Sequence, residues 1–144
     1  MRREAMYSMN DAVFGKLEFT HVWKGTCNVE FLGKRHALTL AVQGEPDKPV
    51  TEEQRRAFEA AQKRLADTSS FLESLLAYCR IDGPEDGLDA ESLPYVVHPE
   101  TLLITWEGGF GLLCAYDYEP EQGVAVYARS PEAPMQAGPQ SDAM

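Results

Sequence analysis

The sequence predicts an α+β fold: a two-layer, mostly antiparallel sheet in βββ-α-βββ order, with one long helix packed on one face. Three observations lead there. A period of two in hydrophobicity runs through residues 16–42 and resumes from Tyr95. An apolar stripe with steps of three and four occupies residues 52–80 without losing phase. The links between neighbouring strand patterns are too short for parallel crossovers.

Leu17, Phe19, His21 and Trp23 alternate with Glu18, Thr20 and Val22, which makes a first strand ending at a Lys24-Gly25 turn. Cys27, Val29 and Phe31, spaced by Asn28 and Glu30, make the second strand. Gly33-Lys34 turns the chain into a third, His36 to Val42. Gly44 to Pro49 holds two prolines and breaks the pattern. Thr51 then reads as a helix N-cap, with Glu52 and Glu53 in the first turn and Gln54 at the capping-box position. Phe58, Ala61, Leu65, Thr68, Leu72, Leu75 and Cys79 continue one face, predicting a single helix from Glu52 to Arg80 bent near Ser69. Gly83-Pro84 stops it. Asp82 to Pro94 is a loop, and strand patterns resume at Tyr95. Leu102, Ile104 and Trp106 lie on one face before a Gly108-Gly109 turn. Phe110 to Tyr118 follows, then the turn Glu119 to Gly123 and a last strand, Val124 to Arg129. This divides the chain into a flexible segment 1–12, a single α+β domain 13–130 and a mobile tail 131–144.

A chain of 144 residues buries about two thirds of its unfolded surface, enough for one core. Its net charge of −10 is unevenly placed. From residue 81 onward the only basic side chain is Arg129, among twelve acids, while residues 1–80 are nearly balanced. A one-signed field repels nucleic acid and anionic membrane and attracts a basic protein. Cys27, Cys79 and Cys114 form no CxxC or Cys/His cluster, so the expectation is buried, inert thiols, with no zinc site, disulfide framework or cofactor. The N-terminus has no apolar run of signal-peptide length and no stretch reaches bilayer-spanning length, which predicts a cytoplasmic protein.

Trp23 and Gly25, Glu52 and Gln54, and the run Asp117-Tyr118-Glu119-Pro120-Glu121-Gln122-Gly123 together resemble a family of small uncharacterised bacterial α+β domains. Those domains pair a Trp-x-Gly first hairpin with a long helix opening near Glu-x-Gln and an acidic last hairpin. The resemblance covers roughly residues 13–130. It implies a role among candidate toxin-immunity proteins, cytoplasmic antidotes that block a cognate bacterial toxin. The family's last hairpin carries His before its Gly; Gln122 stands there in this chain, which argues against acid–base chemistry at the turn.

Two acidic clusters are the candidate partner-binding residues: Asp82, Glu85, Asp86, Asp89 and Glu91 after the helix, and Asp117, Glu119 and Glu121 in the last turn. Calcium binding is not expected of the first. An EF-hand loop needs an oxygen ligand at its third position, where Pro84 stands. Trp106 and Tyr118 lie beside Gly-Gly and Pro-Glu turns, positions from which an aromatic ringed by carboxylates can serve as a hot spot. His21, His36 and His98 are scattered and no GxSxG elbow is present, so no catalytic residue is assigned. Arg55, Arg56, Lys63 and Arg64 interleave with acids and read as a solvated helix face.

The expectation is therefore a non-enzymatic binding protein that occludes a basic toxin with an acidic surface. A small hydrolase using carboxylates of the last hairpin, and a structural or oligomeric module, are the alternatives from other classes. The sequence sets no oligomeric state.

Overall fold

Alternation of apolar and polar side chains carries the first half of the sheet. A computed structural model describes residues 7–84 and 87–144. There, β1 (Tyr7–Asp11), β2 (Gly15–Phe19), β3 (Trp23–Phe31) and β4 (Lys34–Val42) form an antiparallel meander. Trp23, Cys27, Val29 and Phe31 of β3 are buried, while Lys24, Thr26, Asn28 and Glu30 are exposed. Leu32 and Gly33 both take positive φ (51° and 80°), as the two-residue turn matching strand twist requires.

The first turn is not at Lys24-Gly25. It lies at Thr20–Val22, closed by a 3.1 Å bond from Thr20 N–H to Val22 C=O. Gly25 sits inside β3, opposite Leu40. A Cβ there would stand 2.8 Å from the Lys16 carbonyl and 2.9 Å from Leu17 Cδ2, so the glycine answers to close backbone approach.

The single long helix is also corrected. α1 (Glu52–Ala66) ends where Asp67 leaves helical dihedrals (φ −93°, ψ 89°); a 3-10 turn (Thr68–Ser70) and α2 (Leu72–Cys79) follow. Short polar side chains cause the break. Ser70 Oγ donates to the carbonyls of Arg64 (3.0 Å) and Asp67 (2.7 Å), and Ser69 Oγ donates to Asp67 Oδ1 (2.6 Å), in place of the helical ladder. Phe58, Ala61, Leu65, Phe71, Leu75 and Cys79 stay buried across it, which is why apolar phase concealed the interruption.

After a short helix α3 (Leu93–Val96), where a strand start was expected, come β5 (Val97–Ile104), β6 (Phe110–Tyr116), β7 (Val124–Ala128) and β8 (Gln136–Gly138). Among the described residues the result is an eight-stranded sheet in sequential order, parallel only between β4 and β5. The mostly antiparallel α+β expectation holds. The βββ-α-βββ order gives way to four strands, three helices and four strands.

Both termini contribute the extra strands, in segments expected to be flexible or mobile. At the N-terminal end, Asp11 closes the β1–β2 turn by accepting from Val13 N–H (2.9 Å) and Phe14 N–H (3.1 Å). It also receives Arg55 Nη2 (2.6 Å) and Nε (3.0 Å) from α1. The Arg55 hydrogen bond holds the Asp11 carboxyl below the usual carboxylate range; burial opposes this and the two backbone donors reinforce it. At the other end β8 pairs with β7, and a 3-10 turn (Gln140–Ala143) lays Ala143 over Gly111, where a Cβ would meet it at 2.7 Å. Ala125, Tyr127 and Ala143 make a small second cluster there, apart from the main core.

Gln54 joins the two layers. Its Oε1 accepts from Thr51 N–H (3.0 Å), and Thr51 Oγ1 accepts from Gln54 N–H (3.1 Å), completing the capping box. Its Nε2 donates to the carbonyls of Gln43 (2.7 Å) and Thr105 (3.2 Å), which follow β4 and β5. It is 1% exposed.

Replacing Gln54 with Leu leaves those two carbonyls unpaired in a buried site and should cost about 2–4 kcal/mol in chemical denaturation. For Asp11→Asn the sign follows from a lowered folded-state pKa. The stability Asp11 contributes is present above the unfolded carboxyl range and is lost as pH falls through the folded value. The variant should therefore be about 1–3 kcal/mol less stable at pH 7. Its deficit should shrink in denaturation curves taken at progressively lower pH below about 4.

Candidate functional site

At the end of the sheet away from Gln54, three segments converge: the exit of α2, the entry to β5 and the turn after β6. Tyr116 Oη donates to the Cys79 carbonyl at 2.6 Å, tying the last residue of β6 to the last residue of α2. Tyr78 Oη reaches the Gly123 carbonyl at 3.4 Å. Asp117 N–H donates to the Val96 carbonyl at 3.0 Å, fastening the turn to α3. These ties bring Asp82 against Glu119, with Glu121 close by. Partial burial raises the Glu119 carboxyl above its ordinary value, and the facing Asp82 and then Glu121 raise it further.

Asp82, Glu119 and Glu121 are thus gathered from two segments 37 residues or more apart in sequence. Asp117 lies at the same end, its Oδ1 3.1 Å from His98 Nε2, with both side chains about half exposed. Tyr118 packs edge-on against Tyr116 (centroids 5.8 Å apart) and is 42% exposed. Two further apolar residues, not singled out from the sequence, flank these acids: Ile81 (73% exposed) and Tyr95 (76%). The available signal was position: Ile81 follows the end of α2, and Tyr95 lies in the short helix α3 directly before β5.

The remaining candidates part company with this group. Asp89 is committed to a local turn. Its Oδ1 accepts from Ser92 N–H (2.9 Å) and Glu91 N–H (3.1 Å), and the Ser92 donors keep its carboxyl below the ordinary value. Arg80 pins the same loop through two bonds to the Leu88 carbonyl (2.8 and 3.1 Å). Glu91 is exposed; Glu85 and Asp86 lie outside the described residues. Trp106 is 49% exposed, but it follows β5 at the Gln54 end, where its N–H donates to Gln43 Oε1 (2.9 Å). The length of β6, roughly 20 Å, separates it from Tyr118.

The basic helix face is more engaged than expected. Arg55 serves Asp11, and Arg64 Nη1 donates to the Pro131 carbonyl (2.7 Å). Cys27, Cys79 and Cys114 are buried and free; burial pushes the first two thiols up to about 11 and the third further. Among the described residues no group of three His, Cys, Asp or Glu could hold a metal ion, and no helix is long and apolar enough to cross a membrane.

The architecture defines an α+β domain with Asp82, Asp117, Tyr118, Glu119 and Glu121 at one end of a single sheet and Trp106 at the other. The chain belongs to the DUF6985 family, a domain of unknown function, whose family model matches residues 13–144. That match includes the segment expected to be a tail, in agreement with β8 and the final 3-10 turn. No curated protein and no solved structure matches the chain.

A carboxyl whose folded pKa is raised contributes stability below its unfolded value and costs stability once ionised. Glu119→Gln should therefore raise the thermal midpoint at pH 7 by relieving repulsion with Asp82. The gain should vanish at about pH 3.5, where the native carboxyl is already protonated.

Proposed function

We propose that this chain is a non-enzymatic binding protein which holds a basic partner at the Asp82–Glu119 end, and that the partner is a cognate bacterial toxin neutralised by occlusion. The observation that carries this reading is the meeting of Asp82, Glu119 and Glu121, with no cation paired to them among the described residues, at the end of the fold that also carries exposed Ile81, Tyr95 and Tyr118. Like charges held together cost stability, and a lysine or arginine from a partner relieves that cost on docking. Exposed aromatic and aliphatic side chains within an acidic rim supply the desolvated centre that hot spots require. The toxin-immunity assignment is supported by the sequence resemblance carried by Trp23, Gly25, Gln54 and the last hairpin. A cytoplasmic site of action follows from the same reading.

The test is co-expression with the product of the adjacent reading frame, followed by affinity measurement across a salt series. A complex should form and weaken as ionic strength rises, because exposed charges are screened beyond about 10 Å at 0.1 M. Glu119→Lys combined with Asp82→Lys should weaken it by roughly 100-fold or more, and Tyr118→Ala by about 10-fold. Trp106→Ala, at the far end, should leave it unchanged. A salt-independent complex, or one lost with Trp106 and kept in the double lysine variant, refutes the acidic-end reading.

A further inference from the structure

The single parallel pair in the sheet is joined over only part of its length. β4 and β5 are in register from Thr39↔Thr101 to Val42↔Ile104, and the Gln43 N–H continues the contact to the Ile104 carbonyl (2.9 Å). Below Thr39 the strands part. Lys34–Leu38 pair only with β3, and Val97–Pro99 pair only with β6. The separation has local causes. Pro99 has no N–H to offer a neighbour, the register of β5 against β6 shifts between Pro99 and Thr101, and α3 leads directly into Val97.

Between the parted strands is a cavity of about 270 Å³ lined by Phe31, Leu32, Lys34, His36, Pro94, Val97, His98 and Pro99. Phe31 and Val97 are almost fully buried and give an apolar floor; the two prolines are rigid walls. The polar members are Lys34 and His36 from β4 and His98 from β5, and the His98 ring is oriented by Asp117. A chain half whose loops are acidic thus borders a recess whose own side chains are basic or apolar.

We propose that this recess binds a small carboxylate with a flat apolar body, the carboxylate meeting Lys34 and His36 and the body lying between Pro94, Pro99 and Val97. The volume is near the lower end for small-molecule sites and fits a ligand of one ring and one anionic group. Charge complementarity favours the anion, and the apolar walls favour it over inorganic anions. This inference is separate from the proposed docking of a basic protein, since it involves neither Asp82 nor Glu119.

Benzoate is the probe, titrated at constant pH and ionic strength into the full-length isotope-labelled protein and read by amide chemical shifts. Saturable shifts should centre on Lys34, His36, Val97 and His98. Lys34→Gln, an exposed position whose spectrum otherwise reports an unchanged fold, should weaken binding roughly 3- to 5-fold, the size of a partly exposed charge contact. Benzylamine should not saturate, and inorganic phosphate should bind more weakly than benzoate. Equal binding of benzylamine, phosphate binding as tightly as benzoate, unchanged affinity in Lys34→Gln, or shifts that never saturate at these residues would each overturn the proposal.

Discussion

One amide side chain sets the geometry of this domain. Gln54 completes the cap of α1 with its oxygen and, with its nitrogen, bridges the carbonyls of Gln43 and Thr105, the residues just beyond β4 and β5. Without that bridge two partly buried carbonyls lose their donor, and the helix start loses its fixed position over the sheet. The contact has further consequences nearby. Gln43 N–H extends the parallel ladder to Ile104, while its side-chain oxygen receives Trp106 N–H. The crossover between the two four-strand halves is therefore locked at the end where the helix begins.

The opposite end of the same strand pair has no comparable lock. Pro99 and the register shift keep β5 from closing on β4, and the space left between them becomes a recess with Lys34, His36 and His98 in its lining. A parallel pair fixed at one end and parted at the other is a direct outcome of where backbone donors are present and absent. Local chemistry at each end, more than strand propensity, decides how far the ladder runs.

Much of this was legible in sequence, for identifiable reasons. The alternation in β3, the turn at Leu32-Gly33, the N-cap at Thr51 and the Gln54 capping box are local signals, and each is where the residues indicated. What stayed hidden depends on partners distant in the chain. Gly25 resembles a turn residue until the Lys16 carbonyl is placed beside it. Asp11 looks like part of a loose N-terminus until Arg55, 44 residues later, reaches it. Asp67, Ser69 and Ser70 interrupt the helix by hydrogen bonding, which leaves the apolar period unmarked. Of the candidate site, Asp82, Asp117, Tyr118, Glu119 and Glu121 share one end of the fold. Asp89 is occupied in its own turn, and Trp106 lies at the other end because β6 stands between it and Tyr118.

The placement of the acids in the second half of the chain has a structural cause in the sheet. Every residue of β7 is buried, and β6 has no exposed position, since the helices cover one face and the final turn covers part of the other. Strands enclosed in this way have no place for a carboxylate. The acids of that half are confined to the loop after α2, the β5 irregularity, the turns and the chain's last segment. Confinement alone would disperse them around the rim. The ties from Tyr116 to Cys79 and from Asp117 to Val96 instead draw two of those loops together, placing Asp82 beside Glu119 despite their repulsion. Repulsion at the rim is tolerated because the ties themselves rest on the buried end of β6, so the acidic end can remain charged while the core beneath it stays closed.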